Sequence, residues 1–234
     1  MESSDLREQE IIRSWYSNAA PWSDAIRTAS IASRKLVTNE AIIDAVSSVS
    51  PSRVLDLGCG EGWLARALAD RAIRTTGVDV VPELIAEAVS QAAAIESSLR
   101  PEFLVQGYSA IASRLWPGGC FDTVVCNFSL LGAISVETLL AALPFYMKTP
   151  GRLIIQTLHP IAACGELPYE DGWRAGNWLG FSSDFRDPAP WYFRTIESWQ
   201  AMLQRCGFEI LESREPTAAG AVTPASIIWI GGLR

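Results

Sequence analysis

Three glycines follow a short apolar run at alternate positions, in the stretch RVLDLGCGEGWLARAL that covers residues 53–68. Gly58, Gly60 and Gly62 carry no Cβ and can adopt positive φ, so a small molecule can approach the main chain closely there. A helix that begins near Gly62 would add unpaired N–H groups at the same place. The residue types therefore predict a turn that binds a polar small molecule.

Two acids and a tryptophan narrow the class of ligand. Asp56 precedes Gly58 by two positions, and a carboxylate there suits a cation better than a pyrophosphate. Trp63 stands where the dinucleotide-binding turn GxGxxG has its third glycine. Asp79 ends the next apolar run, where an acid accepts hydrogen bonds from ribose hydroxyls. NAD enzymes share this acid, so the glycine spacing, and not Asp79, distinguishes a dinucleotide from other nucleoside ligands.

The elements that position these residues alternate between strand-like and helical patterns, which predicts an α/β fold with a mostly parallel sheet. The predicted strands are 53–57, 74–80, 102–106, 121–127 and 151–158. After a helix at 195–206, the strands 208–214 and 225–232 are too close together for a helical crossover, so we expect them to pair antiparallel.

Two segments do not fit the alternation. Residues 1–50 contain helical patterns at 4–17 and 39–48, joined by an irregular stretch, and residues 159–194 are rich in Gly, Pro and aromatic residues. A structureless loop of that length is uncommon unless it is a lid or a binding loop. We interpret both segments, an N-terminal helical cap and a lid or substrate loop, as covers over the site of a single domain that spans 1–234.

The composition excludes several classes of protein. With 49% hydrophobic and 19% charged residues the 234-residue chain is globular, and its net charge of −7, without a basic cluster, argues against nucleic acid and anionic lipid as partners. No apolar run is long enough to span a membrane, and the start MESSDLREQE is unlike a secretory signal, so we expect a cytoplasmic protein. Five scattered cysteines and one histidine predict neither a disulfide framework nor a metal site.

The stretch VLDLGCGEG resembles the glycine-rich motif of class I S-adenosylmethionine-dependent methyltransferases. The resemblance covers about residues 53–158, and WYFRTIESWQAMLQRCGFEILESREP resembles the tail of small-molecule members of the quinone-biosynthesis type. It implies a Rossmann-like three-layer sandwich whose seven strands are ordered 3-2-1-4-5-7-6 with strand 7 antiparallel. It also implies S-adenosylmethionine as cofactor, S-adenosylhomocysteine as product, and a small-molecule acceptor.

The resemblance also implies which residues contact the cofactor. The turn would pass under its methionine part, Asp56 would place its ammonium group, and Asp79 would bind its ribose. Where the family often has an acid near the adenine, this chain reads QGYSAI, so Tyr108 or Ser109 is the candidate there. Arg27 and Arg34 are either surface charges or, for one of them, a partner for the cofactor carboxylate. The full predicted set is Arg34, Asp56, Gly58, Cys59, Gly60, Gly62, Asp79, Val80, Tyr108, Ser109, Cys126, Asn127 and Phe128.

The acceptor side of the site is predicted from residues beyond the fifth strand. His159, the only histidine, is either a hydrogen-bonded turn residue or a general base, because imidazole titrates near neutral pH. Arg194 either forms a local ion pair or faces an acidic group of the substrate. The aromatic residues of this region form either ordinary core or the wall of a substrate pocket, and the predicted substrate contacts are Trp178, Phe185, Trp191, Tyr192 and Arg194.

Three functions remain open from the sequence. In-line methyl transfer requires mainly proximity, orientation and exclusion of water, which explains why few catalytic side chains are visible. The alternatives are a cofactor-binding protein without methyl transfer and, disfavoured by Trp63, a nicotinamide oxidoreductase. We expect a monomer or a homodimer.

Overall fold

The computed structural model describes residues 2–96 and 98–233, and for residues 2–5 only the backbone. In this part of the chain the strands are β1 (Arg53–Leu57), β2 (Arg74–Asp79), β3 (Glu102–Val105), β4 (Phe121–Asn127), β5 (Met147–Thr157), β6 (Gly172–Arg174), β7 (Trp191–Phe193), β8 (Phe208–Arg214) and β9 (Ile227–Leu233). The helices are α1 (Glu2–Ser17), α2 (Ala19–Arg27), α3 (Asn39–Ser48), α4 (Trp63–Ala69), α5 (Pro82–Ala92), α6 (Tyr108–Ala112), α7 (Ile134–Ala142), α8 (Pro160–Cys164) and α9 (Ile196–Arg205), with a π-helical turn at Arg34–Thr38 and a 3-10 turn at Leu143–Tyr146.

One sheet organises the described residues. Its order is β3-β2-β1-β4-β5-β9-β8, and β9 runs antiparallel to both of its neighbours while the strands from β3 to β5 are parallel. The predicted fold class and the predicted order are confirmed, with the last strand of the chain between the fifth and the penultimate one. The carboxyl ends of β1, β2 and β4 therefore meet at one edge, on either side of the point where the strand order reverses.

Alternate residues of the central strands enter two separate hydrophobic layers, because successive side chains of a strand point to opposite faces. Leu55 and Val124 pack on the side of α7 and α9, whereas Val54 and Val125 pack on the side of α3 and α4. Helices thus cover both faces of the sheet, which is why its central strands are apolar on both sides.

The stretch between α1 and α3 is more regular than the sequence predicted. It contains α2, which packs Ala19 against Leu84 of α5, and the π-helical turn that begins at Arg34. Pro21 lies in the first turn of α2, where an N–H has no helical partner, so the proline does not interrupt the helix.

Residues 159–194 also contain regular structure, namely α8 and the hairpin of β6 and β7. The N–H of Tyr192 donates to the carbonyl of Leu131 at 2.8 Å, which ties β7 to the loop after β4. The N-terminal cap reaches the same segment, because Ser14 Oγ donates to the carbonyl of Asp187 at 2.6 Å. The two segments therefore contact each other as well as the sheet.

Among the helices that the structure describes, none is both long enough and apolar enough for a bilayer span.

Candidate functional site

The glycine turn connects β1 to α4 and lies beside the carboxyl end of β2. The N–H groups of Gly58 and Cys59 both donate to the carbonyl of Val78, at 2.8 and 3.0 Å. Gly58 and Gly60 have φ of +74° and +57°, a region in which a side chain is strained. The turn therefore needs glycine for its own conformation, and its residues Gly58, Cys59 and Gly60 line a cavity.

The third glycine packs closely against neighbouring elements of the fold. A Cβ on Gly62 would come within 2.6 Å of the Phe103 ring of β3, and within 2.9 Å of Ala88 of α5. Gly62 begins α4 and does not line the cavity. Its lack of a side chain admits Phe103, so Gly62 has a packing role in this structure, and its contact with the cofactor stays a prediction.

Asp79, at the end of β2, is fixed by the turn itself. Its two carboxylate oxygens accept hydrogen bonds from the N–H groups of Gly60 and Val81, each at 2.9 Å. Burial raises its pKa, and those backbone hydrogen bonds oppose the rise. The carboxylate is thus held rigidly at the cavity wall with lone pairs left for hydroxyl donors.

The first cavity has a volume of about 360 Å³, which suits a nucleoside-sized ligand. It lies at the carboxyl ends of β1, β2 and β4 and is covered by α1 and α2. Its described lining includes Glu8, Ile11, Ile12, Trp15, Trp22, Arg34, Asp56, Gly58, Cys59, Gly60, Glu61, Trp63, Asp79, Val80, Gln106, Tyr108, Ser109, Asn127, Phe128 and Leu131.

Three carboxyl groups give this cavity an acidic floor. Asp56 and Glu61 are each 1% exposed, and Asp79 stands beside them. Burial, then the charges of Asp79 and Glu61, raise the pKa of Asp56 to about 8. Within the described residues, Asp56 Oδ2 and Glu61 Oε2 have no hydrogen-bond partner. Clustered buried carboxylates with free oxygens favour a cationic ligand.

Arg34 faces that acidic floor from the π-helical turn. Its guanidinium carbon lies 4.6 Å from the centre of the Trp63 ring and 5.4 Å from that of Trp22. Burial lowers its pKa to about 10, which the charge of Glu61 opposes, and its Nη2 has no hydrogen-bond partner in the described chain. The cavity therefore offers a held cation beside its carboxylates, the arrangement that matches an α-amino acid. Arg27 instead forms an exposed ion pair with Asp24 at 2.7 Å.

The end of β4, the strand next to β1, forms another part of the cavity wall. Asn127 and Phe128 line the cavity, and Phe128 has φ of +54°, an uncommon conformation for a bulky residue that is often found at functional sites. The side chain of Cys126 is wholly buried in the hydrophobic layer and outside the described lining of the cavity, and the contact expected there through the main chain stays a prediction. Tyr108 and Ser109 both line the cavity, as the sequence predicted for one of them.

A second cavity, of about 450 Å³, adjoins the first. Both are lined by Trp15, Trp22, Arg34, Phe128 and Leu131. The rest of its described wall is mostly apolar and aromatic, and includes Thr157, Leu158, Pro160, Trp178, Leu179, Phe181, Trp191, Tyr192, Phe193, Arg194 and Trp199. Four of the five predicted substrate contacts therefore line one cavity, namely Trp178, Trp191, Tyr192 and Arg194.

Phe185, the fifth predicted substrate contact, lies behind that wall. Its ring centre is 4.8 Å from that of Trp178 and 5.0 Å from that of Phe181, and the residue is 8% exposed. It packs against Trp178 without lining the cavity, because its side chain is buried in the hydrophobic interior of the 159–194 segment.

His159 is also outside the described lining of both cavities. It is 3% exposed, and its Nε2 lies 3.6 Å from Oε1 of Glu215, whereas its chain neighbours Leu158 and Pro160 line the second cavity. The backbone of His159 is extended before Pro160, and its imidazole faces Glu215, the residue after β8. This placement argues against the predicted general base.

Sequence reasoning missed several residues of the site. Glu61 sits inside the glycine motif, so its position was a usable signal for a third acid. Trp63 was considered only as a missing glycine, yet it stacks on Arg34. Glu8 gave no signal, because it lies in a polar helix; it accepts hydrogen bonds from the N–H groups of Ala133 and Ser135.

A family model described as "Methyltransferase domain" matches residues 32–213, more than three quarters of the chain, which include the seven-stranded sheet except β9 and the last residue of β8. The chain belongs to this methyltransferase family. The match includes the glycine turn, Arg34 and Asp79, and also the 159–194 segment.

Curated relatives of this methyltransferase include two ubiquinone biosynthesis O-methyltransferases. The one from Xanthomonas euvesicatoria is 32% identical over 108 residues, which cover 46% of this chain and 44% of the relative. The one from Xanthomonas oryzae is 31% identical over 124 residues, which cover 52% and 50%. The chain thus spans about half the length of the curated relatives it matches.

Solved structures show the same fold at low identity. The glycopeptide N-methyltransferase MtfA complexed with sinefungin aligns with a TM-score of 0.65 at 17% identity, covering 83% of this chain and 85% of that one. The magnesium protoporphyrin IX methyltransferase of Synechocystis with bound SAH aligns with a TM-score of 0.58 at 18% identity, covering 83% and 81%. These likenesses establish the fold of the methyltransferase described here.

Proposed function

We propose that this chain transfers a methyl group from S-adenosylmethionine to a small-molecule acceptor and releases S-adenosylhomocysteine. The observation that carries the proposal is the pair of adjoining cavities, one acidic and formed by the glycine turn, the other aromatic, which share five lining residues. Methyl transfer needs the donor and the acceptor side by side in a site that excludes water. A shared wall provides that arrangement.

The residues of the first cavity fit this cofactor. Asp56 Oδ2, Glu61 Oε2 and Arg34 Nη2 are buried polar atoms without hydrogen-bond partners among the described residues, although such atoms normally have one. The ammonium and carboxylate of an α-amino acid would satisfy them, and Asp79 would accept the ribose hydroxyls. When bound, the cofactor supplies a methyl group on a sulfonium centre, whose leaving group is a neutral thioether.

The chain's own contribution is then positioning and exclusion of water. Asp79, fixed by Gly60 and Val81, holds the ribose of the cofactor, and Arg34 holds the carboxylate of its methionine part. Trp15 and Trp22, with ring centres 5.2 Å apart, close both cavities from the N-terminal cap. A base is needed only where the acceptor atom must lose a proton.

The acceptor is proposed to be a small molecule rather than a nucleic acid, because the net charge of −7 disfavours a polyanion. Five unpaired cysteine thiols agree with action in the cytoplasm, where thiols stay reduced. Both cavities are formed by residues of a single chain, so a monomer or a homodimer suffices.

Calorimetric titration of the purified protein tests the cofactor. We expect S-adenosylmethionine and S-adenosylhomocysteine to bind with micromolar affinity and NADH not to bind. Binding of NADH, with no binding of either methionine-derived compound, would overturn the proposal.

A further inference from the structure

We propose that the methyl acceptor carries a carboxylate and that Arg194 binds it in the second cavity; this inference rests on the proposed function. Arg194 follows β7, lines the second cavity, and is 5% exposed. A buried arginine is costly unless its charge and its N–H groups find partners.

Only one of the two terminal nitrogens of this guanidinium has a hydrogen-bond partner among the described residues. Nη2 donates to the carbonyl of Ala133 at 2.7 Å, and the guanidinium carbon lies 4.7 Å from the Tyr192 ring centre and 5.1 Å from that of Trp199. Nη1 is buried and has no hydrogen-bond partner in the described part of the chain. Arg194 is therefore held in place with donor capacity to spare.

No described carboxylate lies within ion-pairing distance of Arg194, and the acids whose charges act on it are engaged elsewhere. Asp171 accepts hydrogen bonds from Thr195 N–H and Ser198 Oγ. Glu137 pairs with Arg205 at 3.0 Å, and Glu8 accepts hydrogen bonds from the loop after β4. Their charges act on Arg194 only at longer range.

The second cavity has the charge that an anion requires. Its described lining contains two arginines, Arg34 and Arg194, and neither Asp nor Glu. Arg34 also lines the first cavity, where the charge of Glu61 acts on it, although Glu61 itself pairs with Arg66 at 3.1 Å. Arg194 lines only the second cavity and has no ion-pair partner among the described residues. The two cavities are thus of opposite sign, with carboxylates on the cofactor side and an unpaired guanidinium on the acceptor side.

A carboxylate fits better than a phosphate. It carries one negative charge on a planar group, which matches the guanidinium fork, whereas a doubly charged phosphate would need further donors in this aromatic surrounding. Arg194 does not line the first cavity, so the carboxylate and the methylated atom belong to different parts of the acceptor. The substrate class is a small aromatic or partly apolar carboxylic acid.

Paired probes test this inference. Each member of a panel of small aromatic acids, such as 3,4-dihydroxybenzoate, is titrated beside its methyl ester, with and without S-adenosylhomocysteine. We expect at least one acid to bind about tenfold or more tightly than its ester, since charged hydrogen bonds contribute on this scale. Equal binding of acids and esters across the panel, or no binding of any acid, would overturn the inference.

Two variants of Arg194 and one control variant test whether Arg194 causes the preference for acids over their esters. Arg194→Gln should abolish the preference for acids, and Arg194→Lys, which keeps the charge, should retain part of it and serves if the glutamine variant does not fold. Arg174→Gln is the control, because this arginine also lies over an aromatic ring, that of Phe193, but not in the described cavity wall. A preference that survives Arg194→Gln would contradict the assignment.

Failure of S-adenosylhomocysteine to bind would contradict the proposed function alone, because the acids are also measured without it.

Discussion

Asn18 and Arg186 are joined by two hydrogen bonds that run in opposite directions. Asn18 Nδ2 donates to the carbonyl of Arg186, and the N–H of Arg186 donates to Asn18 Oδ1, each at 2.8 Å. Asn18 is fully buried at the junction of α1 and α2, so this pair fastens the N-terminal cap to the 159–194 segment. The two covers of the site are therefore one connected unit.

Asn18→Ala should loosen that unit. The substitution leaves two main-chain groups of Arg186 without their partners, which costs about 1–3 kcal/mol for each buried polar group left unsatisfied. We expect faster hydrogen exchange of amides in α2 and around Arg186, and weaker binding of S-adenosylhomocysteine. Asn39→Ala, a partly exposed asparagine at the start of α3, is the control. Unchanged exchange in both covers would show that the pair is dispensable.

Asp56→Asn should stabilise the protein increasingly as the pH rises. The folded pKa of about 8 lies above the ordinary value of 3.8, so the folded state binds more protons and its stability falls between these two values. The asparagine variant removes this loss, so its advantage is small near pH 4, reaches a few kcal/mol near pH 8, and then levels off. Chemical denaturation at a series of pH values measures it.

The same variant should bind cofactor more weakly, since it lacks the carboxylate that favours a cation. A bound cation lowers the pKa of Asp56, so binding to the unsubstituted protein below about pH 8 releases a proton. Calorimetry in buffers of different ionisation enthalpy detects that release. If the Asp56→Asn variant binds the cofactor with unchanged affinity and unchanged proton release, Asp56 does not contact the cofactor.

Asp79→Asn tests the rigid acid at the end of β2. An amide cannot accept hydrogen bonds from Gly60 and Val81 at both of its ends and also serve the ribose hydroxyls. We expect the affinity for S-adenosylhomocysteine to fall about tenfold to hundredfold, the scale of one charged hydrogen bond. Asp70→Asn, an exposed acid at the end of α4, should leave the affinity as it is. Equal effects of both variants would contradict the assignment.

His159→Ala separates the sequence-based hypothesis from the geometry. Because His159 faces Glu215 and lies outside the described lining of both cavities, we expect kcat to change less than about tenfold, well below the effect of losing a general base. Thermal stability should fall instead, since the side chain is buried. A fall in kcat of about a hundredfold or more, with a flattened pH profile, would restore the role of base.

The sequence was most informative where local chemistry decides the structure. The glycine spacing, Asp56 and Asp79 located the first cavity, because a strand, a turn and a helix next to one another in the chain build it. The alternation of elements predicted a mostly parallel sheet, and the order of its strands was implied by the resemblance to methyltransferases.

It was least informative where distant segments meet. Gly62 and Cys126 adjoin binding residues in the chain, yet Phe103 and the hydrophobic layer determine their surroundings. The proximity of Asn18 to Arg186 and of Arg34 to Glu61 depends on how the N-terminal cap folds over the sheet, and no local pattern encodes that. The direction in which His159 points depends likewise on the placement of β8.

Transfer of a labelled methyl group is the direct measurement of the proposed reaction, methyl transfer from S-adenosylmethionine to a small molecule. The protein is incubated with methyl-labelled S-adenosylmethionine and fractionated metabolites, and labelled products are identified by mass. We expect the unsubstituted protein to give a labelled small molecule from at least one fraction, and the Asp79→Asn variant to give much less of it. Binding of the cofactor without a labelled product from any fraction would contradict methyl transfer and indicate a protein that only binds the cofactor.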